Sequence, residues 1–253
     1  IPIKLLSLSF NQLTATPAGI ERLGYLERLD LRNNSIRELP VVMKNGSFLS
    51  QLKSIDLSGN LLEYPPKKLF WSHPLIQRVV ICDGIITGIG AYTFAYSSDV
   101  TFIDLSHNRI SFVGYQAFYG VRSLTEINLS HNQIADLFQD IFPVNPAGLI
   151  FNLLNNPFRC SCEANWLIEF SAQNEFLAPE CATPERPAGV DLWTLDSETK
   201  WSCFNSTTTT TTPTPEISSK QAITTFTSAI LLSTQVSVMD LCPEEDRKST
   251  RLN

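Results

Sequence analysis

Between Val100 and Ile134 one phrase is written twice, as Val100-x-x-Ile103-x-Leu105-x-x-Asn108-x-Ile110 and then Leu124-x-x-Ile127-x-Leu129-x-x-Asn132-x-Ile134. Apolar residues at alternate positions make a short strand with one inward face. A single unit of this kind has nothing to bury that face against, so the units must stack. The asparagine stands where the chain leaves the strand. Its amide can pair backbone groups of adjacent turns that would otherwise be buried without partners.

The same register recurs upstream as Ile3, Leu6, Leu8, Asn11, Leu13, as Leu26, Leu29, Leu31, Asn34, Ile36, and as Leu52, Ile55, Leu57, Asn60, Leu62. A fourth copy keeps Ile76, Val79, Ile81 and Ile86 but has Gly84 in the asparagine slot. Phe70, Phe94, Phe118 and Phe142 each fall ten residues after the slot held by Asn60, Gly84, Asn108 and Asn132, which predicts a stacked phenylalanine spine under the convex side. Gly84 is therefore a lost rung in an intact repeat. A degenerate seventh copy, Phe151, Leu153, Asn156 and Phe158, has Gly148 where its first apolar residue belongs, as suits a repeat that meets a cap. A set of unrelated amphipathic helices would share part of this spacing, but phenylalanines and asparagines in phase with the leucines are not helix signals.

Composition narrows the function classes. A chain of 253 residues, 43% hydrophobic, buries a sizeable core, and its net charge of −6 argues against nucleic acid as a partner. Ile1 already lies inside a repeat, as expected of a trimmed mature chain or of a fragment. With three histidines and neither a Gly-x-Ser-x-Gly elbow nor a His-Glu-x-x-His helix, no enzyme, cofactor or metal is expected. Asp83, His107, His131 and Asn155 share one repeat position and should form a row. A pH switch or metal site is the sharper reading of that row, and ordinary filling of a repeat position is the stronger one.

Four of the six cysteines cluster as Cys160-Ser161-Cys162, Cys181 and Cys203. No histidine follows at zinc-ligand spacing, so disulfides and an oxidising compartment are the better reading. Cys82 and Cys242 are not expected to pair with each other, which leaves Cys82 free or paired between chains. The sequons at Asn33, Asn45, Asn128 and Asn205 agree with secretion, Asn45 best and Asn128 least, since a glycan on a strand would obstruct the concave face.

Asn156-Pro157-Phe158-Arg159-Cys160-Ser161-Cys162, followed by Trp166, resembles the cysteine-rich C-terminal cap of extracellular leucine-rich repeat proteins. That resemblance implies pairing of Cys160 with Cys181 and of Cys162 with Cys203. It also implies a short helix in which Trp166, Leu167 and Phe170 cover the open apolar end of the last repeat.

The implied organisation is an α/β solenoid with a curved parallel strand sheet: about seven leucine-rich repeats over 1–156, a cap over 157–204, and a Thr/Pro-rich stalk over 205–220. A membrane anchor or anchor signal over 221–239 and a charged tail over 240–253 complete it. Thr207 to Thr212 and Pro213 resemble an O-glycosylated stalk, with a plain disordered linker as the alternative. Gln221 to Met239 carries no charge but seven Ser or Thr, so it is a marginal span. Repeats, cap and stalk together are similar to variable lymphocyte receptors, whereas Slit and Toll-like ectodomains share only the first two. Recognition of microbial or other foreign surfaces, at the cell surface or outside the cell, is what this implies.

Side chains between the leucines should line the concave face. Arg28, Asp30, Arg32, Asp56, Arg78, Phe102, Asp104 and Glu126 are the candidate ligand-binding residues, a mixture that suits a protein or glycan ligand. A host protein bound in adhesion or guidance, a secreted matrix role, and a second copy of the chain are the other candidate partnerships.

Overall fold

The structure, a computed structural model, describes residues 2–39, 49–95, 97–142, 146–159, 164 and 166–182, all inside one compact unit, Ile1–Trp201. Each of the seven copies gives a three-residue strand: β1 (Leu5–Ser7), β2 (Arg28–Asp30), β3 (Ser54–Asp56), β4 (Arg78–Val80), β6 (Phe102–Asp104), β8 (Glu126–Asn128) and β9 (Ile150–Asn152). An eighth strand, β10 (Glu175–Leu177), follows in the cap region. Two short strands on the return path, β5 (Gly88–Ile89) and β7 (Phe112–Val113), pair with each other. The main sheet is parallel, in the order β1-β2-β3-β4-β6-β8-β9-β10.

Strand register follows the apolar frame. Leu29, Ile55, Val79, Ile103, Ile127, Phe151 and Phe176 stand at the middle of successive strands and are buried. Because side chains alternate along a strand, the residues flanking these middles share the opposite, concave face.

Between turns the asparagines form a ladder. Asn108 Nδ2 donates to the carbonyls of Ile81, Leu105 and Ser106 at 2.7, 3.1 and 3.1 Å, while its Oδ1 accepts the Ile86 N–H at 3.0 Å. Asn132 repeats the pattern one turn later. Each rung satisfies buried backbone groups that would cost about 1–3 kcal/mol apiece if left unpaired. At Gly84 a Cβ would lie 2.8 Å from Asn108 Oδ1, yet β4 still pairs with β3 and β6. The rung is missing and the repeat is intact.

The residue before each rung, Phe10, Asn33, Gly59, Asp83, His107, His131 or Asn155, has φ between 50° and 64°. Only Gly, Asn, Asp and His enter this left-handed region at modest cost, which explains how the position is filled. Phe10 is the exception, and its ring is exposed.

Beneath the sheet the phenylalanine spine is present. Ring centroids of Phe70, Phe94, Phe118 and Phe142 follow one another at 4.7, 5.4 and 5.3 Å. It runs on into helix α2 (Trp166–Ser171), whose Phe170 stacks on Phe142 at 5.8 Å. Leu167 and Phe170 are buried and Trp166 Nε1 donates to the Leu137 carbonyl at 3.1 Å, so α2 covers the last repeat as expected. Among the described residues helix is otherwise sparse: α1 (Lys67–Ser72) precedes β4, and 3-10 turns occupy Ile20–Arg22 and Gln139–Ile141.

Cys82 and Cys181 are both disulfide-bonded. They follow β4 and β10, which are separated by three strands, a span of roughly 20 Å at the usual strand spacing that no disulfide crosses. The two are therefore not bonded to each other, and the expectation that Cys82 is free or bonded between chains is corrected. Cys160, Cys162, Cys203 and Cys242, and with them the expected cap pairing, lie outside the described residues. So do Asn45, Asn205, the stalk, the candidate span and the tail. No helix among the described residues is long and apolar enough to cross a membrane.

Candidate functional site on the concave face

The strand pairing sets the candidate residues in rows across the concave face. Arg28, Ser54, Arg78, Phe102 and Glu126 are successive partners in one row, and Asp30, Asp56, Val80, Asp104 and Asn128 in the next. Seven of the eight candidates thus lie on one surface, and the eighth, Arg32, lies just past β2 and reaches Asp30 and Asp56. Arg28 is exposed, whereas Asp30, Arg32, Asp56, Arg78, Phe102 and Glu126 are half-buried and Asp104 is buried.

At the β2 and β3 end the charges are paired within the chain. Arg32 meets Asp30 side-on, its Nε 3.1 Å from Oδ1 and its Nη2 3.0 Å from Oδ2, and Asp30 Oδ2 also accepts the Ser7 hydroxyl at 3.0 Å. Burial raises the Asp30 pKa, but hydrogen bonds from Arg32 and Ser7 outweigh it and hold the carboxyl below its usual range. Asp56 turns Oδ1 toward the Ser58 N–H and hydroxyl at 3.0 and 2.7 Å, and Oδ2 toward Arg32 Nε at 3.5 Å. Burial nevertheless leaves the Asp56 pKa raised.

At the β4, β6 and β8 end the arrangement differs. The Arg78 guanidinium lies over the Phe102 ring, 3.6 Å from its centroid, a cation-π contact. Asp104 Oδ1 accepts the Ser106 N–H at 2.9 Å and its hydroxyl at 2.6 Å. Asp104 Oδ2 is buried with no hydrogen-bond partner. Burial pushes the Asp104 carboxyl up against the opposing hydrogen bonds from Ser106 and the attraction of Arg78. Glu126 is raised too, by burial first and by the charge of Asp104 second.

Asn128 is buried, and its Oδ1 accepts the Ser130 N–H at 3.1 Å, so this sequon reads as a structural asparagine. Asn33 is exposed. The expected row materialises: the rings of His107 and His131 stack with centroids 4.0 Å apart, and Asn155 Nδ2 lies 2.9 Å from His131 Nε2. Among the described residues no three His, Cys, Asp or Glu gather as a metal set.

Val80 and Cys82, apolar members of the concave face in the fourth repeat, are buried there. One feature escaped the sequence reading. Asn174, which unlike the rung asparagines precedes its strand, donates to the Pro146 and Phe170 carbonyls at 3.0 and 2.9 Å and accepts the Leu149 N–H at 2.9 Å. The Asn174-x-Phe176 spacing of an amide before an inward aromatic was the available signal.

A family profile described as "Leucine rich repeat" matches residues 74–134, and a second with the same description matches 25–45. The fold is a leucine-rich repeat solenoid. A solved leucine-rich repeat protein of Leptospira interrogans superposes with a TM-score of 0.58 over 70% of this chain and 43% of that one, at 22% identity, a likeness of fold alone. By sequence the chain is 25% identical over 152 residues to human leucine-rich repeat and fibronectin type III domain-containing protein 1, covering 60% of this chain and 17% of the relative. It is 27% identical over 249 residues to mouse vasorin, covering 93% of this chain and 33% of the relative. The chain thus spans between 17% and 33% of the length of these relatives.

Proposed function

We propose that this chain is the ligand-binding part of an extracellular or cell-surface recognition receptor, and that its ligand sits on the concave face. The observation that carries this reading is the Arg78–Phe102 pair beside Glu126, half-buried side chains on an open sheet face that no rung or spine contact requires. Mixed aromatic and arginine surfaces concentrate binding energy in this way. Disulfide bonding at Cys82 and Cys181 supports an oxidising compartment. Exposed Asn33 is the glycan acceptor favoured among the described residues.

A protein or glycan on a microbial surface is the proposed ligand class. A host protein bound in adhesion or guidance is the second reading, favoured by the observation that the curated relatives are mammalian proteins. Labelled chain applied to a panel of microbial surfaces and a panel of host ectodomains separates the two. Whatever is captured, Arg28→Ala with Arg78→Ala should weaken binding roughly tenfold or more, as for paired anchor residues. Arg122→Ala, off the strands, should leave it within twofold. Equal effects from both would move the site to the loops.

A further inference from the structure

One row of side chains crosses the concave face from β2 to β10. Arg28 on β2 and Arg78 on β4 stand in it with Ser54 between them, and Glu126 on β8 and Glu175 on β10 with Ile150 between them. Phe102 on β6 separates the two pairs. Along the row the charge is therefore divided, basic on one side of the ring and acidic on the other.

Neighbouring charges are paired within the chain: Arg32 with Asp30 and Asp56, and Glu27 with Lys4 and Lys53. Asp104 is buried. Arg78 lies over Phe102 and attracts Glu126. The ends of the row are its open poles. Arg28 and Glu175 are exposed, and among the described residues no opposite charge forms an ion pair with either. Glu175 also repels Glu126, a cost to the fold that no rung or spine contact offsets. A ligand of one charge would be attracted at one pole and repelled at the other.

We propose that this row recognises an extended segment of a protein partner whose own charge is divided, with acidic residues over Arg28 and Arg78, an apolar residue on Phe102, and basic residues over Glu126 and Glu175. The inference rests on the reading of the concave face as the binding surface and adds the order of charge in the ligand. Six strand spacings separate Arg28 from Glu175, roughly 30 Å, which is about nine residues of extended chain. A second copy turned end for end would match the same charges, but two concave faces meet at their rims and leave Phe102 uncovered. An extended segment lies inside the curve and reaches the ring as well as both poles.

The test uses the full chain and a short labelled peptide with glutamates in one half, arginines in the other and a leucine between. The control has the same composition with the two charges alternating. At low salt the divided peptide should bind roughly tenfold tighter than the alternating one, and added salt should shrink the difference. Exchanging the poles, Arg28→Glu with Glu175→Arg, keeps the net charge and makes the row itself alternate in sign, so the preference should disappear. In the unmutated chain the Arg28 Nε and Glu175 carboxyl resonances should both shift with the divided peptide, which requires no variant to fold. Equal binding of the two peptides, binding of neither, unmoved resonances, or a preference that survives the exchange would overturn the proposal. A dimer of the unmutated chain that the divided peptide fails to dissociate in sedimentation would also overturn it, by giving the row to a second copy. If the preference is absent while Arg28→Ala with Arg78→Ala still weakens capture on the panels, the charge order is wrong and the concave-face reading survives. If neither responds, both fall.

Discussion

Asp56 and Asp104 are written in the same phrase, sit at the same register and accept the same two hydrogen bonds from the serine two residues on. One strand toward the N-terminus the rows diverge. Beside Asp56 stand Asp30 and Arg32, and beside Asp104 stand Val80 and Cys82. Arg32 serves both aspartates of the first region, while the second keeps a buried oxygen with no donor. In a stacked fold the chemistry of a residue is set as much by the neighbouring repeat as by its own.

The largest expected effect breaks the two regions apart. The asparagine ladder skips a rung at Gly84, so packing across this repeat falls to the buried Ile76, Val79, Ile81 and Ile86 and to the spine through Phe94. Phe94→Ala should cost about 3–5 kcal/mol, as for a large buried aromatic. Urea unfolding followed by hydrogen exchange should then show β2 and β3 separating from β6 and β8 in midpoint. A single transition with a loss under about 1 kcal/mol would mean that the sheet alone couples them.

Next, Arg32→Met should make the first region resemble the second. It strips donors from Asp30 and Asp56, and because Arg32 is partly exposed the cost at neutral pH should be only about 1 kcal/mol. The sign of the pH dependence follows from Asp30. Its pKa is depressed in the folded chain, so the stabilisation is present above the unfolded carboxylate pKa and is lost as pH falls through the depressed value. The cost of Arg32→Met should therefore shrink on acidification.

Asp104→Asn should act in the opposite sense. A raised folded pKa means that the ionised form destabilises the fold above that value, and that the penalty disappears as pH falls through it toward the unfolded pKa. The amide should gain up to about 1 kcal/mol at neutral pH and nothing in acid, measured as chemical denaturation midpoints across pH. The smallest effect belongs to Glu27→Gln. Glu27 pairs with Lys4 and Lys53 in solvent, so its loss should leave the midpoint unchanged within error.

Most of the scaffold was legible because its rules are local and periodic. The leucine frame, the rung residues and Phe70 to Phe142 each specify a contact with the same position one repeat away, so spacing along the chain becomes distance in space. Gly84 was readable for the same reason. β10 and Asn174 were not, because Glu175-Phe176-Leu177 keeps only one inward apolar residue of the phrase. The candidate surface was legible only as a list of positions. That Arg32 lies across Asp30 and Asp56, or that Arg78 turns onto Phe102 and leaves Asp104 Oδ2 without a donor, depends on side-chain rotamers across repeats that periodicity does not encode.

The difference between the two regions is open to one direct measurement, a site-resolved titration of the side-chain carboxyl carbons of Asp30, Asp56 and Asp104 by NMR in the unmutated chain. Asp30 should titrate below the ordinary aspartate range, and Asp56 and Asp104 above it. An Asp104 that titrates at or below Asp30 would mean that a donor already reaches its second oxygen, and the contrast between the two halves of the concave face would be gone.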